Sequence, residues 1–127
     1  MPKDEQTEWM FETADYQGNP VVLSKSTWHT KAGSETADGT HPEIIDYFED
    51  IKLAIESPDI VFQSSRDERS RIFYKIGAGR NEFEGKHLVV IVKYVNDSGR
   101  SRGYVSTMYI TRSIYSKGEQ LWIRMKP

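Results

Sequence analysis

Apolar and polar positions alternate weakly from Glu8 to Ala14, and a second extended stretch runs from Val21 to Trp28 after the turn-forming Gly18-Asn19-Pro20. This pattern predicts an N-terminal extended hairpin within residues 1–30. Residues 31–40 change to Ala, Gly, Ser, Thr, Glu and Asp, the composition of a loop, and read as an insertion. A helical period then takes over, with Ile44, Phe48, Ile51 and Ile55 spaced four, three and four apart, so a helix is predicted over 41–57. Thr40-His41-Pro42-Glu43 fits a capping box with proline in the first turn. Ser57-Pro58 ends the helix, because proline disfavours helical geometry in the residue before it.

From Ile60 onward the period drops to two. Candidate strands are Ile60 to Gln63, Ser70 to Ile76, His87 to Tyr94, Arg102 to Thr111 and Gln120 to Arg124. Their connections hold Gly77-Ala78-Gly79, Asn96-Asp97-Ser98-Gly99 and Lys117-Gly118, the turn chemistry of an antiparallel meander. A helix followed by a run of strands indicates an α+β fold. The expectation is a hairpin and helical layer packed on a four- to five-stranded antiparallel sheet over 60–127, all 127 residues forming one domain.

Strand alternation sorts the side chains into two faces. Ile72, Tyr74, Ile76, Leu88, Val90, Val92, Tyr104, Met108, Ile110, Leu121 and Ile123 form the predicted core face. Arg71, Phe73, Lys75, Val89, Ile91, Lys93, Val105, Thr107, Tyr109, Trp122 and Arg124 form the other. Cations interleaved with aromatics and hydroxyls suit a surface that holds phosphates by charge and bases by stacking. The same pattern also suits the solvated side of an antiparallel sheet.

Charge sharpens this picture. The formal net charge of -2 is the sum of an acidic half, with 4 basic and 13 acidic side chains in 1–63, and a basic half, with 13 basic and 6 acidic in 64–127. With no cysteine, a disulfide framework, a thiolate nucleophile and cysteine-ligated metal sites are all excluded. The opening MPKDEQTEW lacks the apolar core of a secretory leader, and the longest apolar run is only Leu88 to Val92. The expectation is a cytoplasmic protein without membrane contact. Dinucleotide and P-loop fingerprints fail at Gly77 to Glu82 and Gly79 to His87, and no nucleophile elbow is present. His29, His41 and His87 are too far apart in sequence for a local metal pair.

Taken in order, Leu23-Ser24, Thr27-Trp28-His29, His41-Pro42-Glu43, Ser57-Pro58-Asp59, Phe73-Tyr74-Lys75, Leu88 to Lys93, Val105, Thr107, Tyr109 and Leu121-Trp122 form a series. The series resembles the phage-associated nuclease-like domains grouped with barnase, EndoU, the colicin ribonucleases and the RelE toxins (the BECR fold). The resemblance implies metal-independent RNA cleavage without a cofactor, in which the 2′-hydroxyl attacks its own phosphodiester to leave a 2′,3′-cyclic phosphate. It implies His41 as general base or acid, His29 as a second proton carrier and Lys75 as the oxyanion or phosphate cation. Thr107 and Tyr109 would orient the scissile group. Arg71 would be a second phosphate contact, and Phe73, Lys93, Trp122 and Arg124 would complete the substrate surface. Histidine suits proton transfer because its ordinary pKa of about 6.5 lies near neutrality. RNA is the implied partner, with a cognate inhibitor protein as a second. The alternative is a non-catalytic module that binds nucleic acid or protein, including an antitoxin or immunity-type protein presenting the acidic helix.

Overall fold

In the computed structural model, which describes residues 8–34, 37–114 and 117–124, strands β1 (Trp9–Ala14) and β2 (Pro20–Ser24) form the predicted hairpin. They are followed by α1 (Lys25–Ala32), a 3-10 helix (Pro42–Tyr47), α2 (Phe48–Glu56), β3 (Ile60–Gln63) and β4 (Ser70–Lys75). A 3-10 turn (Asn81–Phe83), β5 (His87–Asp97), β6 (Arg100–Thr111) and β7 (Gln120–Ile123) complete the order. The fold class is α+β. The sheet is larger than expected: it has seven strands in the order β1-β2-β6-β5-β4-β3-β7. It is also mixed, because β2 runs parallel to β6 through Val21 opposite Gly103 and Val22 opposite Tyr104. Three successive buried residues, Val21, Val22 and Leu23, make β2 an inner strand rather than half of a free-standing hairpin. No helix among the described residues is long and apolar enough to cross a membrane.

The stretch expected to be extended up to Trp28 is instead helical from Lys25, and the expected insertion begins inside that helix. Ser24 starts it: its Oγ accepts the Thr27 N–H at 3.0 Å, satisfying a donor that lacks a helical partner. Trp28 and Ala32, one turn apart, are its buried residues. Gly33 ends it at φ 108, a conformation that other residues rarely adopt, and donates its N–H to the His29 carbonyl.

The helix predicted over 41–57 begins as the 3-10 helix and becomes α-helical at Phe48. The capping box does not form: the N-cap position, His41, makes no side-chain cap bond, and Glu43 faces the His41 ring instead. The apolar stripe does what its spacing predicts. Ile44, Ile51 and Ile55 are wholly buried, and Phe48 meets Phe11 and Trp28 edge-on at 5.7 and 5.2 Å. Each such aliphatic side chain contributes about 1.5–3 kcal/mol by leaving water.

The helices cover one side of the sheet, here the front. Phe73, Leu88, Val90, Val92, Val105 and Met108 face them. Residues Ile60, Phe62, Tyr74 and Val89 form a second buried cluster on the back, with Ile72, Ile91, Tyr109 and Ile114 against it. The predicted faces are therefore wrong for β4. Phe73 pairs with Val90 and shares its side, whereas Ile72 and Tyr74 pair with Ile91 and Val89 on the back. A register shift between Ile91 and Val92 makes Ser106 the extra residue of a bulge. Val105 and Met108 consequently share the front, and Thr107 and Tyr109 the back.

Connecting β6 to β7 requires the chain to cross the back of β5, β4 and β3 diagonally. Within its described residues, Ile114 packs on the back cluster and the Gln63 N–H donates to the Glu119 carbonyl at 2.7 Å. Gly118 allows the close approach, since a Cβ there would lie 1.6 Å from the Gln63 carbonyl oxygen.

Candidate functional site

β2 covers β6 only near Gly103 and Tyr104, so the rest of that strand's edge carries no neighbouring strand, and the 3-10 helix packs there instead. The backbone of His41 is tied to the end of α1 by its N–H to the Lys31 carbonyl at 2.7 Å. From this edge the His41 ring reaches Tyr109, with centroids 5.5 Å apart and planes at 32°. Its Nδ1 lies 3.6 Å from Glu43 Oε2. Thr107 is two residues before Tyr109 on the same face, opposite Ile91. Two of the residues named from sequence, His41 and Tyr109, thus meet at one sheet edge, with Thr107 on the same face of β6. A carboxylate at Nδ1 leaves the other imidazole nitrogen as the proton-transfer atom.

The expected cations are elsewhere. Lys75 points to the front, where Nζ donates to the Ser57 carbonyl at 2.9 Å and lies 3.8 Å from Asp59. Arg124 joins the same knot, 3.3 Å from Asp59 and 2.7 Å from the Ser57 carbonyl. These two side chains neutralise the carbonyl end of α2 and fix it to β3, β4 and the residue after β7. Arg71 lies over the Tyr94 ring at 4.7 Å and donates to Gln17 at 2.8 Å. Phe73, expected as a stacking surface, is wholly buried beneath the helices and cannot meet a nucleic acid. Trp122 packs on the front core against Tyr16, with centroids 5.5 Å apart. His29 is exposed on α1 and lines a separate open concavity with Trp28, Asp38 and Ile45. Lys93 is the expected substrate contact that does face the back, 3.6 Å from Asp67. The Arg69 N–H and the Ser70 hydroxyl hold the Asp67 carboxyl below its ordinary pKa, with smaller help from Lys93.

Beneath the β6–β7 connection the back face is hollow. A cavity of about 320 Å³ is lined by Ile72, Tyr74, Ile91 and Tyr109, with Ser64, Ser65 and Arg66 of the β3–β4 turn and Lys117 with Gly118 of the connection. Tyr109 therefore faces His41 on one side and this cavity on the other. Strand alternation hides this cavity, because it assigns Ile72 and Tyr74 to the core face. Glu43 was singled out for capping rather than as the partner of His41.

A contrasting polar site lies on the front. Buried Asp15 accepts the Gln17 and Asn19 N–H groups at 2.8 and 2.9 Å and the Tyr94 hydroxyl at 2.7 Å. Burial, and then this carboxylate, hold the Tyr94 phenol far above its ordinary pKa. Burial likewise raises Tyr16, whose ring closes the front over Phe73. No protein-family model matches the chain, and no curated protein or solved structure matches it.

Proposed function

We propose that the chain is a metal-independent endoribonuclease-like domain acting at the His41–Tyr109 edge of the sheet. The observation that carries this reading is the meeting of His41, Glu43 and Tyr109, with Thr107 on the same strand face, beside a cavity lined by Tyr109 and Arg66. In the reaction, the His41 nitrogen remote from Glu43 accepts the proton of a ribose 2′-hydroxyl. The 2′-oxygen bonds to phosphorus, the bond from phosphorus to the 5′-oxygen breaks, and that oxygen takes a proton from water. The products are a 2′,3′-cyclic phosphate and a 5′-hydroxyl, and Thr107 and Tyr109 orient the phosphate between them. Arg66 replaces Lys75 and Arg71 as the phosphate cation, since those two are engaged on the front. The reading carries with it the phage-associated, toxin-like character of the similar domains, a cytoplasmic setting and a cognate inhibitor protein as second partner.

Incubation of single-stranded RNA with chelator present, followed by end-group analysis, tests it. Cyclic phosphate ends are expected, with His41→Ala slowing their formation about a hundredfold. RNA left intact by the wild-type protein ends the reading. The internal pairing of Lys75, Arg71 and Arg124 favours a second one, a non-catalytic module for nucleic acid or protein. Binding that weakens with salt and leaves the RNA whole is its mark.

A further inference from the structure

The cavity under the β6–β7 connection lies beside the proposed cleavage site and has a composition unlike the rest of the back face. Its apolar lining is half-buried Ile72, Ile91 and Tyr109, with Tyr74 almost wholly buried, a surface that a heteroaromatic ring fills well. Its rim is polar: Ser64, Ser65 and Arg66 on one side and Lys117 on the other. Arg66 is exposed, and among the described residues its guanidinium makes no ion pair. The carboxylate of the next residue, Asp67, is already occupied by the Arg69 N–H, the Ser70 hydroxyl and Lys93. A volume of about 320 Å³ falls within the range of small-ligand pockets.

From these features we infer that the cavity takes one unstacked nucleotide, its base against Tyr109, Ile72 and Ile91 and its phosphate at Arg66. This deepens the endoribonuclease reading and rests on it for the source of the nucleotide, which is a residue of single-stranded RNA rather than a free mononucleotide. Duplex RNA does not fit, because its paired and stacked bases are not available to the cavity. Tyr109, shared by the cavity and His41, would set the distance between the captured base and the bond that breaks.

The test uses the full chain and a fluorescent 2′-O-methyl uridine hexamer, which lacks the attacking hydroxyl and stays intact. A ribose-phosphate hexamer of the same length without bases and free UMP serve as comparison probes. The expected result is that Ile91→Trp, which reduces the cavity, and Arg66→Glu, at an exposed side chain with no ion pair among the described residues, each weaken the uridine hexamer about tenfold. The base-free hexamer should bind the wild type about tenfold more weakly than the uridine hexamer. Equal binding by wild type and both variants, with the base-free hexamer as good a ligand, overturns the pocket and leaves the nuclease reading standing. UMP bound and lost in both variants, with no hexamer bound, keeps the pocket as a mononucleotide site and removes the RNA reading. Binding of neither probe removes both.

Discussion

The two faces of the sheet solve the same problem, covering apolar strands, in opposite ways. The front is sealed by α1, α2 and the Tyr16 turn, and its polar groups are consumed in pairs: Asp15 with Tyr94, Lys75 and Arg124 with Asp59, and Arg80 with Asp50 at 3.0 Å. The back is covered by one connection, with half-buried Tyr109, Ile72 and Ile91 left around a hollow. Basic residues on β4 look like a phosphate surface in the sequence but serve as internal ties.

Exchanging the roles of the faces would break this comparison, and the largest effect is expected at Phe73. Phe73→Ala should lower the unfolding free energy by about 4 kcal/mol in urea titration, because it empties a wholly buried site. A cost below about 1 kcal/mol would return Phe73 to the surface. Tyr109→Ala should show the reverse profile. RNA affinity falls about thirtyfold from lost stacking, with an unfolding free energy reduced far less than in Phe73→Ala. Tyr94→Phe sharpens the front further, costing about 2 kcal/mol at neutral pH for a bond to a buried carboxylate. The sign of its pH dependence follows from the raised phenol. Above about pH 10 the unfolded chain gives up this proton while the folded chain keeps it, so stability is whole below that pH and falls as pH rises. Thermal melts from pH 8 to 11 should show that fall, shallower in Tyr94→Phe. The smallest effect is expected at Lys75→Met, about 0.5 kcal/mol of stability and no change in RNA cleavage. A large loss of cleavage there would put the site back on the front.

How much of this was readable from residues depends on how local each signal is. The Ile44, Phe48, Ile51, Ile55 stripe is a property of twelve neighbouring residues, and it located the helical layer correctly. α1 hid because only Trp28 and Ala32 turn inward, leaving an otherwise polar helix with no stripe. Its one local sign was Ser24 three residues before Thr27, a cap that an extended reading passes over. In β4, Ile72-Phe73-Tyr74 is apolar on both parities, so alternation cannot say which side faces the helices. The bulge at Ser106 then shifts parity within β6 without any glycine or proline to mark it. His41 and Tyr109 were named individually from the resemblance. Their contact depends on β2 leaving part of the β6 edge open, a long-range pairing that no window of sequence contains.

The diagonal passage from β6 to β7 also orders events in time. Hairpin pairings from β3 to β6 join neighbours in sequence and can form as soon as their turns emerge, whereas β7 must find β3 across almost sixty intervening residues. During synthesis the back of the sheet is therefore bare, a wet platform of tyrosines and isoleucines, until Ile114 packs on it and β7 pairs with β3. That interval is when this chain is most exposed to aggregation and to capture by a chaperone.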